Sequence, residues 1–216
     1  MVGMIRMVKI LSAAGCAALA LLALSGVARA DGASDPATPD RATKVIDELD
    51  HTLMDVMKNA AKLGYQGRYD ALKPTLLRSF DLPRMTQLVV GAAWASWSED
   101  DRSQVTDAFT RFVIATYARR FDGYSGENFV LDGERPSPNG AIVMTHLALP
   151  KDPPITINYL MHESGEDAPK AIDVYLTGTI SQLAQFRSEF SALLKRDGVK
   201  GLIAALEKKA TDGPGK

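Results

Sequence analysis

Cysteine and histidine are scarce in this chain of 216 residues, which has one cysteine, Cys16, and three histidines, His51, His146 and His162. Cys16 lies in an apolar run expected to be removed, so the mature protein would carry no thiol, which excludes disulfides, thiol nucleophiles and thiolate metal sites. The histidines form no His-x-x-x-His pair, and no metal site is expected. A long basic run is also missing. With 25 basic and 26 acidic residues, and only basic charges before Asp31, the chain from Asp31 onward carries a net charge of minus four, a poor balance for binding nucleic acid. There is no Gly-rich phosphate loop and no Gly-x-Ser-x-Gly elbow. Asp173, beside a strand, reads more readily as a hydrogen-bonded or solvent-facing residue than as a general base. No catalytic constellation and no cofactor is expected.

What is present begins with a secretory pattern. Arg6 and Lys9 precede an apolar run from Ile10 to Leu24, and Ala28-Arg29-Ala30 supplies small residues around a cleavage point. Residues 1–30 are therefore expected to be a signal peptide cut after Ala30, and the mature protein to be periplasmic. The apolar run is shorter than the roughly 20 residues that span a bilayer, which argues against a retained anchor. Ala13-Ala14-Gly15-Cys16 offers a competing lipidation site, but Ala13 stands where a larger aliphatic is usual and the apolar run continues past the cysteine. Residues 31–40 read as a flexible leader, 41–210 as a single domain and 211–216 as a disordered tail.

Apolar spacing predicts helices over Arg41 to Leu63 with a stop at Gly64, over Tyr69 to Phe80, over Leu82 to Ala93 with Pro83 in the first turn, and from Ser98 to about Phe121. After Gly123 the pattern changes to four short segments, Asn128 to Asp132, Ala141 to Leu149, Ile155 to His162 and Ala171 to Thr177, separated by Pro-, Gly- and Ser-rich turns. They predict an antiparallel meander, with Ile155, Ile157, Tyr159 and Met161 sharing one face. Helical spacing returns over Ile180 to Leu194 and Val199 to Leu206, with Gly198 between them. The expected fold is α+β, with helices packed on a twisted four-stranded antiparallel sheet enclosing an apolar pocket, and a helical C-terminus.

Sheet and helices both offer apolar surface. Met54, Met57, Met85, Met144 and Met161 could line an adaptable pocket, although ordinary core is the commoner role for any one of them. The pairs Trp94 with Trp97 and Phe109 with Phe112 read as packing. Arg119-Arg120 and Lys195-Arg196 stand at helix ends, where basic residues are favoured by the helix dipole and a phosphate headgroup is the alternative partner.

Phe80-Asp81, Gly91, Trp94, Ala108-Phe109, Thr116-Tyr117-Ala118-Arg119-Arg120, Tyr124 and Gly126 occur in an order and spacing that resemble the MlaC, or toluene-tolerance, family. So do Asp173-Val174, Gly178, Ser181, Arg187-Ser188-Glu189-Phe190, Asp197-Gly198-Val199, Gly201-Leu202-Ile203, Leu206 and Lys208. Phe80 to Met85, Tyr117-Ala118 with Phe121, and Gly178 to Ser181 with Leu183-Ala184 are similar to the branch associated with hopanoid biosynthesis, HpnM. Two departures stand out: a Trp usual before Asp173 is absent near Pro169, and Phe186 replaces a common Tyr.

The resemblance implies a soluble periplasmic carrier with a deep apolar pocket, taking phospholipid or, for the hopanoid branch, hopanoid. Its implied partners are an inner-membrane MCE/ABC transporter complex and an outer-membrane lipoprotein, with transient membrane contact. The expected pocket draws on Val143, Leu147, Ile157, Tyr159, Val174 and Leu176 from the strands, and on Met85, Val89, Phe109, Phe112 and Phe190 from the helices. Two other readings are an accessory subunit that docks on a membrane complex and carries nothing, and a small enzyme, which would need a polar cluster inside the pocket.

Overall fold

The computed structural model describes residues 41–138, 140–163 and 168–212; the expected signal peptide, its cleavage point and the leader lie outside them. Helix α1, Arg41–Lys58, turns Ile46, Leu49, Leu53, Val56 and Met57 inward, as its spacing requires. Helix α2, Ala60–Ser79, contains Gly64 at φ 59, and this left-handed residue breaks the helical path at the expected stop. The helical turns after it thus start earlier than Tyr69. Asp81 caps α3, Leu82–Val90, by accepting a hydrogen bond from the Arg84 amide, with Pro83 in the first turn. This helix ends three residues before Ala93, and a 3-10 turn, Gly91–Ser96, follows. Ser98 caps α4, Glu99–Arg120, accepting from the Asp101 amide while its hydroxyl donates to the Asp101 carboxylate.

The strands are β1 Asn128–Ser137, β2 Gly140–Ala148, β3 Ile155–His162, β4 Lys170–Leu176 and β5 Ile180–Ser181, and they form one antiparallel meander in chain order. The sheet therefore has five strands, not the expected four. Ile180 and Ser181 fold back to pair with Leu176 and Tyr175 before the last helix begins, so that helix starts at Gln182 and not at Ile180. The first strand is longer than expected, reaching Ser137 through Pro136, because β1 is an edge strand and a missing amide there interrupts no ladder. Helix α5, Gln182–Thr211, is divided by Gly198 at φ 66, where the sequence places the boundary. No described helix is long and apolar enough to cross a membrane.

The helices cover the face of the sheet that carries Val143, Thr145, Leu147, Ile157, Tyr159 and Val174. Three polar ties fix how they sit. Buried Arg68 donates to the Ala118 carbonyl, 2.8 Å, and to the Ala60 carbonyl, 3.3 Å, joining α2 to the end of α4. The Asp81 amide donates to the Ala171 carbonyl, which pins the junction of α2 and α3 to β4. Buried Asp173 accepts from the Ser181 hydroxyl and the Leu183 amide, so its role is to hold the start of α5 against β4.

Candidate functional site: an apolar cavity between sheet and helices

Four elements present one face each to a partly enclosed cavity of about 130 Å³. On α4, Val113, Thr116, Tyr117 and Arg120 follow the i, i+3, i+4, i+7 rule, and Phe121 closes the end. Ile155, Ile157 and Tyr159 alternate along β3, and Val174 and Leu176 do so along β4. Gln182, Gln185 and Phe186 share the first turns of α5, while Phe80 and Met85 enter from the α2–α3 junction and Thr177 and Ile180 from the β4–β5 turn. Thr177, a β-branched residue, is held at φ 52, a strained conformation at the cavity edge.

Of the residues expected to form the pocket, Met85, Ile157, Tyr159, Val174 and Leu176 line this cavity. Val89, Phe109, Phe112, Val143, Leu147 and Phe190 are buried but do not line it. Phe109, Phe112 and Phe190 pack with Phe186 in an aromatic cluster of edge and stacked contacts, with centroids 5.4 to 6.2 Å apart, that joins α4 to α5. Phe186 belongs to this cluster and also faces the cavity. Sequence periodicity finds the inward face of an element, but both cavity wall and dry core lie on that face. Phe80, Thr116, Tyr117 and Phe121 were marked by the family pattern, Ile155 by the strand period, Arg120 as a basic helix-end residue and Phe186 as a departure from the family, while Val113, Thr177, Gln182 and Gln185 were not singled out.

The two basic residues Arg119 and Arg120 point to different tasks. Arg119 donates to the carbonyls of Lys209, Ala210 and Asp212 and so closes the end of α5. Arg120 lines the cavity, and burial lowers its pKa. Arg196 forms an exposed pair with Asp197, 2.7 Å.

Phe80 sits between the two tyrosines of the wall, 5.8 Å from the Tyr117 ring and 6.4 Å from the Tyr159 ring. Burial raises the pKa of both phenols, and the nearby Asp50 carboxyl adds to the effect. Tyr117 is half-buried by area and lines the cavity. Asp50 projects from the buried stripe of α1; it is 8% exposed, and its Oδ1 has no hydrogen-bond partner. Burial, with a smaller contribution from Asp47, pushes its pKa up to about 8.

His146 has an orienting partner: its Nδ1 lies 2.8 Å from a carboxylate oxygen of Asp132. The pair is partly exposed, on the sheet face opposite Thr145 and Leu147, and Asp132 stands at a bulge in β1. His51 is exposed, with Nδ1 2.8 Å from the Asp47 carbonyl. No group of three metal-ligating side chains occurs among the described residues.

The family model described as MlaC protein matches residues 47–208, from the middle of α1 to near the end of α5. The chain belongs to the MlaC family. Every cavity-lining residue falls inside that match. Among solved structures, the chain is similar to the phospholipid-binding protein from Ralstonia solanacearum, solved in complex with a phospholipid. The TM-score is 0.68 at 18% identity, over 78% of this chain and 96% of that one. At that identity the likeness establishes a shared fold. No curated protein matches the chain by sequence.

Proposed function

We propose that this MlaC-family protein is a periplasmic lipid carrier that shields the apolar part of a phospholipid in the cavity between sheet and helices and does no covalent chemistry. The observation that carries the reading is the cavity itself: a wall of Phe, Tyr, Ile, Val, Leu and Met side chains inside a fold shared with a protein solved holding a phospholipid. Membership of the family supports it. The finer reading places the carrier between an outer-membrane lipoprotein and an inner-membrane MCE/ABC transporter complex. Likeness to the hopanoid branch makes hopanoid the alternative cargo.

Each methylene kept from water contributes about 0.8 kcal/mol, so an acyl chain of roughly sixteen carbons needs on the order of 12 kcal/mol of shielding. A cavity of about 130 Å³ is comparable to an engineered apolar cavity of roughly 150 Å³ that admits one benzene. It takes a fraction of such a chain, so the rest lies in the open mouth of the cavity unless the sheet and helix walls move apart. The mature protein, isolated from a periplasm and examined by native mass spectrometry with lipid extraction, should carry phospholipid in stoichiometric amount; a bound hopanoid would name the other cargo. An empty protein that also takes up no lipid from phospholipid vesicles would overturn the carrier reading and favour a docking subunit that carries nothing.

A further inference from the structure

The polar side chains of the cavity wall divide into two groups. Thr116 donates to the Phe112 carbonyl, Thr177 to the Leu176 carbonyl, and Gln182 to Gln185, so these four have partners within the wall. Arg120 has a partner of its own. The hydroxyls of Tyr117 and Tyr159 make none of the hydrogen bonds of the described residues, although Tyr159 is only 2% exposed. Among the described residues the side-chain oxygens sealed from solvent without a partner are those of Asp50 and Asn158, so the two phenol oxygens keep accessible surface in the cavity wall, free to meet a ligand. Both rings pack on Phe80, and both residues line the same cavity.

We propose that Tyr117 and Tyr159 form a polar subsite inside the otherwise apolar cavity, which binds a neutral oxygen of the cargo by hydrogen bonds. The inference rests on the carrier reading and specifies its ligand class. A plain hydrocarbon tail would leave both phenols unsatisfied. Burial disfavours an uncompensated ionised group beside them, and Arg120, the cation of the same wall, already has a partner. A neutral oxygen fits both hydroxyls, since each phenol can donate or accept. It can come from a hydroxyl set in the apolar body of a lipid, or from the ester carbonyl where an acyl chain joins glycerol.

Two matched pairs of probes separate these sources: 12-hydroxystearic against stearic acid, and diester against diether phosphatidylcholine. Each is titrated into the mature protein and into its Tyr159→Phe and Tyr117→Phe variants, which keep the rings and remove only the hydroxyls. The wild type should favour the oxygen-bearing member of one pair by roughly five- to tenfold. Tyr159→Phe should bring the ratio of affinities within that pair to near unity, and Tyr117→Phe should reduce the ratio in part. A preference in the first pair assigns the subsite to a hydroxyl, in the second to the ester. Equal binding within both pairs, or a preference that survives Tyr159→Phe, overturns the subsite while leaving the carrier reading intact. Failure of all four probes to bind overturns both.

Discussion

Replacing Asp50 by Asn should make the stability of the protein less sensitive to pH, with a sign and size set by burial. In the fold the Asp50 carboxyl has one oxygen without a partner and a pKa of about 8, against an ordinary value of 3.8. The charge that bears on it is that of Asp47, one turn back on α1; Tyr117 and Tyr159, from α4 and β3, feel the Asp50 charge but are themselves neutral across this range. Between these two pKa values the folded chain holds a proton that the unfolded chain has released, so stability falls as pH rises, by about 1.4 kcal/mol per unit for this group. The loss is complete above pH of about 8 and absent below pH of about 4. Over the three units from pH 5 to pH 8 the wild type should lose on the order of 4 kcal/mol that Asp50→Asn does not lose. Urea unfolding of both proteins, followed by circular dichroism at pH 5, 6.5 and 8, measures the gap, and groups common to both cancel in the difference. Asp50→Asn should be the more stable protein at pH 8, by a margin that shrinks steadily towards pH 5. A margin that stays constant across that range would refute the reasoning, since it would mean that Asp50 ionises in the fold as it does in water.

Two further outcomes follow from the helix ends. Arg68→Met keeps much of the side-chain volume but leaves the Ala118 and Ala60 carbonyls unpaired inside the protein, and should cost about 2–4 kcal/mol in urea unfolding; a cost under 0.5 kcal/mol would mean that water replaces the guanidinium there. Gly64→Ala and Gly198→Ala should each cost about 1–2 kcal/mol through the left-handed backbone alone, because nothing lies within 4 Å of the new methyl group. Their double variant should lose the sum, and neutral single variants would show that the helices run straight through these positions in solution.

The order of elements was legible in the sequence because each has its own local signature. Ile46, Leu49 and Leu53 recur at the helical period, Ile155, Ile157 and Tyr159 at the strand period, and Gly64 and Gly198 mark breaks that only a left-handed residue makes without strain. The α+β class and the meander follow from those signatures, since a chain that crosses from helices to short strands with brief turns has few other ways to pair them. Family membership was legible as well, from scattered positions such as Phe80-Asp81, Asp173-Val174 and Gly178 with Ser181. Several of these carry tertiary ties: Asp173 holds the start of α5, and Phe80 lies between the two wall tyrosines.

The fifth strand was not legible, because two residues have no period and Ile180-Ser181 extends the helical pattern of α5 equally well. Nor was the division between cavity and core. Val143, Leu147 and Phe109 have the same side-chain chemistry, and the same inward direction, as Ile157, Val174 and Val113. Whether an inward side chain meets another side chain or an empty space depends on what arrives from elements far away in the chain. Here α5 fills the space beside Phe109 with Phe186 and Phe190, while α4, β3 and β4 leave a gap between Tyr117, Tyr159 and Leu176. Local sequence determined which faces turn inward; where the interior stays hollow was decided only when five helices and the sheet came together.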